Sequence, residues 1–84
     1  MASKFQTKII KQYEADGWLV INLIKSSKAG FADLICFKEG FKPLFIECKE
    51  IHDRESKLQA YRGREVSKYG CEYKLMQDEK KKPK

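Results

Sequence analysis

Two apolar runs, residues 31–38 and 43–50, flank Gly40 with too few residues between them for a crossover, so they must pair as an antiparallel hairpin. The second run holds Phe45-Ile46-Glu47-Cys48-Lys49, and the first opens with Gly30-Phe31-Ala32-Asp33. Side chains on a strand alternate faces at about 3.3 Å per residue. Glu47 and Lys49 therefore share a face about 6.6 Å apart, with Ile46 and Cys48 on the other. Charges in so apolar a strand need a reason. Asp33 joins their face only if it lies opposite Glu47 or Lys49, which requires an odd-numbered loop or a bulge at Gly40. A plain two-residue turn at Gly40-Phe41 would pair it with Cys48 and turn it away.

The remaining elements fall around this hairpin. Phe5, Ile9, Ile10 and Tyr13 recur at helical spacing, Ser3-x-x-Gln6 fits a capping box and Gly17 follows the end, so residues 4–16 are expected as a helix. Trp18 to Ile24 is nearly continuous apolar sequence, as in a strand covered on both faces, and residues 25–30 form a polar loop. Ser56-x-x-Gln59 repeats the capping pattern ahead of Leu58, Tyr61, Val66 and Tyr69, with Gly70 closing a second helix that Gly63 weakens in its middle. Cys71, Tyr73 and Leu75 alternate with Glu72 and Lys74 as in a half-exposed strand. The expected class is α/β with the order αβββαβ, one domain over residues 1–77 and a basic, flexible tail over 78–84.

A chain of 84 residues buries only about 60–65% of the surface it exposes when unfolded, so any site must be compact or shared. Eighteen basic against twelve acidic residues give a net charge of +6, which suits an anionic partner and equally suits simple solubility. Cys36, Cys48 and Cys71 are odd in number and lack C-x-x-C spacing, as for buried thiols in a reducing compartment. No apolar signal core follows Met1, and the Trp18–Ile24 run is far too short for a membrane span. A soluble, cytoplasmic protein is expected, in a host cytoplasm if phage-encoded.

Acid-x-lysine spacing alone carries little weight: twelve acids among fifteen lysines predict about two matches, and the chain has five. Glu55/Lys57, Asp78/Lys80 and Glu79/Lys81 lie at a helix start or in the tail, and Glu72/Lys74 lies on the polar face of a strand with no second acid preceding it. Only Glu47/Lys49 has a partner acid, Asp33, on a neighbouring strand. Phosphodiester hydrolysis uses a divalent cation to polarise a phosphoryl oxygen and lower the pKa of a bound water, and Mg²⁺ takes oxygen ligands completed by waters and substrate. Asp33 and Glu47 would hold the ion, and Lys49 would orient the attacking water and offset charge on phosphorus. The competing reading is a surface salt-bridge cluster.

Gly30-x-x-Asp33-Leu34-Ile35, Phe45-Ile46-Glu47-Cys48-Lys49 and Ser56-x-x-Gln59, set in the order αβββαβ, resemble the PD-(D/E)XK nuclease superfamily, specifically the virus-type replication-repair nuclease (VRR-NUC) domain, over nearly the whole chain. The resemblance implies a restriction-endonuclease-like core, a central mixed sheet flanked by helices. It implies a Mg²⁺- or Mn²⁺-dependent endodeoxyribonuclease acting as a homodimer on branched DNA such as Holliday junctions. It also implies Asp33, Glu47 and the Cys48 backbone carbonyl as metal ligands, Lys49 as the catalytic lysine and Gln59 as a supporting catalytic residue. No membrane or small-molecule substrate enters this expectation. Two departures are visible: Ala32 stands where the family usually has proline, and the first helix offers Gln6 rather than a glutamate near the metal. Gln6 reads more simply as a cap.

A noncatalytic nucleic-acid-binding module, or an interaction subunit of a replication or repair assembly, would retain the fold and basic face without turnover. His52, alone beyond a strand, is given no role. Lys25, Lys28, Arg54, Lys57, Arg62 and Arg64 flank the site in sequence as candidate phosphate contacts.

Overall fold

The hairpin forms, and its register has the parity the site requires. In the computed structural model, which describes residues 3–23 and 27–79, Leu34 pairs with Ile46, Ile35 with Phe45 and Cys36 with Leu44. Residues 37–43 close the loop, an odd count centred on Gly40. Phe41 N–H donates to the Lys38 carbonyl at 3.0 Å and Gly40 has φ +84°, the third-position value of a type II turn, which a side chain would oppose. Continued by one residue, the register sets Asp33 opposite Glu47.

The chain orders as α1 (Lys4–Ala15), β1 (Leu19–Asn22), β2 (Leu34–Phe37), β3 (Leu44–Lys49), α2 (Lys57–Lys68) and β4 (Glu72–Gln77). The strands form one mixed sheet in the order β1-β2-β3-β4, antiparallel except for β3 and β4, which the α2 crossover makes parallel. This is the expected αβββαβ fold with a mixed sheet.

One sheet face carries Leu34, Cys36, Leu44 and Ile46, all buried against Phe5 and Ile9 of α1, with Tyr13, Trp18, Val20, Cys48 and Met76 packed around them. The opposite face carries Glu47, Lys49, Phe45 and, by register, Ile35, Phe37, Leu19, Ile21 and Tyr73. Helix α2 covers the β4 side of it and reaches β3 with its N-terminal turn, through Gln59, leaving the β1 side open. A Cβ on Gly63 would lie 2.7 Å from the Tyr73 ring, so the glycine that weakens the helix is what lets it sit down on β4.

The β1 expectation needs correction. Leu19 is 61% and Ile21 43% exposed, so β1 is covered on one face, by α1, and not on both. It is an edge strand, and α2 packs too far across the sheet to reach it. The predicted strand's last residue, Ile24, and Lys25 of the loop lie outside the described residues, as do tail residues 80–84. The first capping box forms by half: the Ser3 hydroxyl accepts from Gln6 N–H, but the Gln6 side chain turns to Asn22, 3.1 Å away. The second forms completely at Ser56 and Gln59.

Candidate active site

Asp33, Glu47, Lys49 and Gln59 converge at one end of the β2–β3 hairpin. Asp33 sits just before β2 and is held three ways. Its N–H donates to the Ile46 carbonyl (3.1 Å), its carbonyl accepts from Leu23 N–H (2.7 Å), and its carboxylate Oδ2 accepts from Cys48 N–H (2.9 Å). The last bond places a carboxylate where the ladder between the strands would continue, and its charge assistance makes it strong.

Glu47 is 3% exposed, the one buried charged side chain among the described residues. Its Oε2 accepts from Gln59 Nε2 at 3.0 Å and lies 3.5 Å from Lys49 Nζ, whose side chain is 13% exposed. Its Oε1 is buried and has no hydrogen-bond partner. Burial pushes the Glu47 carboxyl up to about 7, the negative charge of Asp33 pushes the same way, and Lys49 opposes both. A carboxylate kept dry beside a second carboxylate, with one oxygen unpartnered, is costly in a chain this small.

Gln59 does two things at once. Its Oε1 accepts from Ser56 N–H at 2.9 Å to close the capping box, and its Nε2 reaches Glu47. The cap fixes the side chain that fixes the acid. Sequence reasoning found both possibilities; only the position of the α2 N-terminus over β3 makes them compatible.

Cys48 turns its thiol into the core, where burial pushes it up to about 12, too high to supply a thiolate ligand at neutral pH. Its backbone is what faces the site. The Lys49 carbonyl accepts from Asp78 N–H on the β4 side, so by alternation the Cys48 carbonyl points to the Asp33 side along with the Cys48 N–H.

The donor set suits a hard cation. Among the described residues no three His, Cys, Asp or Glu side chains cluster as a closed metal site. Two carboxylates and a carbonyl edge are an open oxygen set, of the kind that Mg²⁺ or Mn²⁺ completes with water and phosphate oxygens. The orphaned Glu47 Oε1 fits that use.

A solved structure described as a VRR_NUC domain aligns with this chain at a TM-score of 0.76 and 21% sequence identity, covering 89% of this chain and 82% of the other. The chain has the VRR_NUC domain fold. No family model and no curated protein matches the sequence. The four residues singled out from sequence stand together, whereas two peripheral expectations do not hold. Arg62 is not available as a phosphate contact: it donates to the Ala29 carbonyl (3.0 Å) and to Glu65 (2.9 Å) and stacks over Phe31 and Tyr61, so it ties α2 to the loop before β2. Gln6 is not a side-chain cap. Arg54, Lys57 and Arg64 make no ion pair or hydrogen bond through their side chains among the described residues, and Lys25 is outside them.

Two residues that shape the site were missed from sequence. The Tyr73 hydroxyl donates to Glu55 at 2.6 Å, and Gln77 Nε2 reaches the carbonyls of Glu50 (3.2 Å), Ile51 (3.3 Å) and Asp53 (2.7 Å). Both reach from β4 to the loop joining Lys49 to the α2 N-cap. Their only trace in sequence is placement on the strand that follows α2.

Proposed function

We propose that this chain is a divalent-metal-dependent endodeoxyribonuclease that hydrolyses phosphodiester bonds in branched DNA, four-way junctions included, as a homodimer. The observation that carries the reading is the buried, unpartnered Glu47 Oε1 on a face shared with Lys49 and, by register, Asp33. Buried carboxylate oxygens are seldom left without a partner, so a purely structural salt bridge gives Oε1 no reason to be there. The VRR_NUC likeness supports the same class of chemistry.

Asp33, Glu47 and the Cys48 carbonyl would hold Mg²⁺ or Mn²⁺, which when bound polarises the phosphoryl oxygen and makes a bound water more acidic. The protein's own part is positional and electrostatic. Cys48 N–H holds Asp33 in place and Gln59 holds Glu47 by one oxygen, leaving the other to the site. Lys49, restrained by Glu47, presents its ammonium to the attacking water and to the charge growing on the phosphate oxygens. Water attacks phosphorus and releases a proton to solvent, the P–O ester bond breaks, and the departing oxygen takes a proton from solvent, while the fixed charges need no rearrangement as this happens. No helix of the described structure is long and apolar enough to cross a membrane.

The homodimer is supported by the uncovered part of the site-bearing sheet face. Leu19, Ile21 and Phe37 stand 61%, 43% and 39% exposed there and, with half-buried Ile35 and Phe45, make one apolar surface across three strands. No residue of this stripe is charged, so two copies of a +6 chain can meet on it by a two-fold axis without opposing like charges. Both sites would then lie beside the same interface, as paired cuts across a junction require.

The test is cleavage of four-way junction, flap and linear duplex DNA with Mg²⁺, Mn²⁺ or EDTA, beside Asp33→Asn and Lys49→Ala. Metal-dependent cutting of the branched substrates that both variants lose is expected; no cutting by the native protein, or full cutting by both variants, overturns the assignment. Light scattering should give a dimer that Ile21→Lys or Phe37→Glu converts to a folded monomer. A monomeric native protein at micromolar concentration removes the dimer.

A further inference from the structure

The outer face of α2, turned away from the sheet, brings exposed aromatic and basic side chains together. Tyr61, Arg64, Glu65 and Lys68 lie on it at helical spacing, Tyr69 follows at the C-cap, and together they line a groove of about 380 Å³. Tyr69 is 83% and Tyr61 50% exposed. Large aromatic surface left in water at two places along one groove is a cost unless something stacks on it. Glu65 is the groove's one acid, and its Oε1 is taken by Arg62 at 2.9 Å. Arg64 and Lys68 form no ion pair or hydrogen bond through their side chains among the described residues, so the groove's uncommitted charge is positive.

We infer that this groove binds an unpaired stretch of nucleic acid, with bases stacking on Tyr61 and Tyr69 and phosphates meeting Arg64 and Lys68. The residue types are those that single strands use: aromatic faces accept any base, and interleaved cations follow the backbone. A duplex hides its base faces and would use only the cations. From Tyr61 to Tyr69 the helix rises about 12 Å, room for a short run of nucleotides and too little for a sequence-reading surface. The inference deepens the nuclease proposal and rests on it only for its biological sense: among branched substrates a flap carries an unpaired strand at its branch, and the groove starts two residues past Gln59.

Binding is measured in EDTA, with no cleavage, to a fluorescent single-stranded oligonucleotide and to the matching duplex. Tyr61→Ala/Tyr69→Ala should weaken single-strand binding about tenfold or more and duplex binding less than about twofold, with Tyr61→Phe/Tyr69→Phe close to native because the rings remain. Arg64→Gln/Lys68→Gln should lower the slope of log K against log salt for the single strand by about 1.4, the value for two phosphates. Circular dichroism confirms that each variant is folded. Native-like single-strand affinity in the tyrosine-to-alanine variant, or equal losses on single strand and duplex, overturns the inference. So does a change of oligomeric state in that variant, which assigns the groove to a protein contact. Failure of the native protein to cut junctions would count against the nuclease and leave this binding result standing.

Discussion

Replacing Glu47 by glutamine separates the electrostatic cost of the site from its chemistry. Burial and the charge of Asp33 raise the Glu47 carboxyl from an ordinary 4.5 to about 7. Within that interval the folded chain holds a proton that the unfolded chain has released, so stability is full below about 4.5 and falls as pH rises through about 7. At about 1.4 kcal/mol per pH step the loss is on the order of 3 kcal/mol, and Glu47 is too buried for solvent to screen much of it. Glutamine cannot ionise and keeps an acceptor for Gln59 Nε2. Glu47→Gln should therefore melt near the native protein at about pH 5 in EDTA and well above it at about pH 8, by roughly 10–20 °C for a chain of this length. Millimolar Mg²⁺ should raise the native melting temperature at pH 8 and leave the variant unmoved, because the cation replaces the proton Glu47 has lost. Thermal melts followed by circular dichroism across this pH range read all of this. A variant no more stable than native at pH 8 in EDTA, with a native melt flat in pH, would refute the reasoning.

Gly63→Ala sets a methyl 2.7 Å from the Tyr73 ring, and overpacking of about 1–3 kcal/mol should exceed the gain in helix propensity, lowering the urea midpoint; adding Tyr73→Leu should recover part of the loss. Gln59→Ala removes both the cap and the Glu47 bond, so it should cost about 1–2 kcal/mol by urea titration and reduce cleavage; Gln59→Glu, which keeps a capping oxygen but opposes Glu47, should recover stability less than expected for a cap alone. Cys36 and Cys48 are pushed up to about 11 and about 12 by burial, so a thiol reagent at pH 8 should leave both unmodified until the chain is unfolded.

Much of this fold was legible because its strongest signals are local. The turn chemistry around Gly40 and the two capping boxes are short-range, and the element order followed from them with boundaries off by one to three residues. The strand at 31–38 is shorter than its apolar run, starting at Leu34, because Asp33 sends its N–H to one neighbouring strand and its carbonyl to the other. That departure depends on both partners, so nothing in the run itself records it. The same holds for Arg62: its charge suggested a phosphate, while its role as a tie between α2 and Ala29 needs the packed structure.

The candidate residues stand together because parity is a two-valued question. Five acid-x-lysine pairs could not be ranked by count, but only Glu47/Lys49 has a second acid, Asp33, opposite it on the same face, and a loop one residue shorter or longer would have turned that acid to the core face. The β1 run presents the reverse case. Its Leu19, Val20 and Ile21 have the apolar character of a doubly covered strand, yet α1 covers only one face. The expectation of a doubly covered strand therefore fails for the chain, and the proposed dimer would give the apolar pattern of Leu19 and Ile21 its physical reason. The proposed dimer surface and the surface that carries the candidate metal ligands are two ends of one sheet face, two residues apart from Phe45 to Glu47 along β3. If the proposed dimer forms on this face, a charge placed at Phe37 should lower cleavage through loss of the dimer alone, whereas Lys49→Ala should lower it with the dimer intact, which light scattering beside the cleavage assay distinguishes.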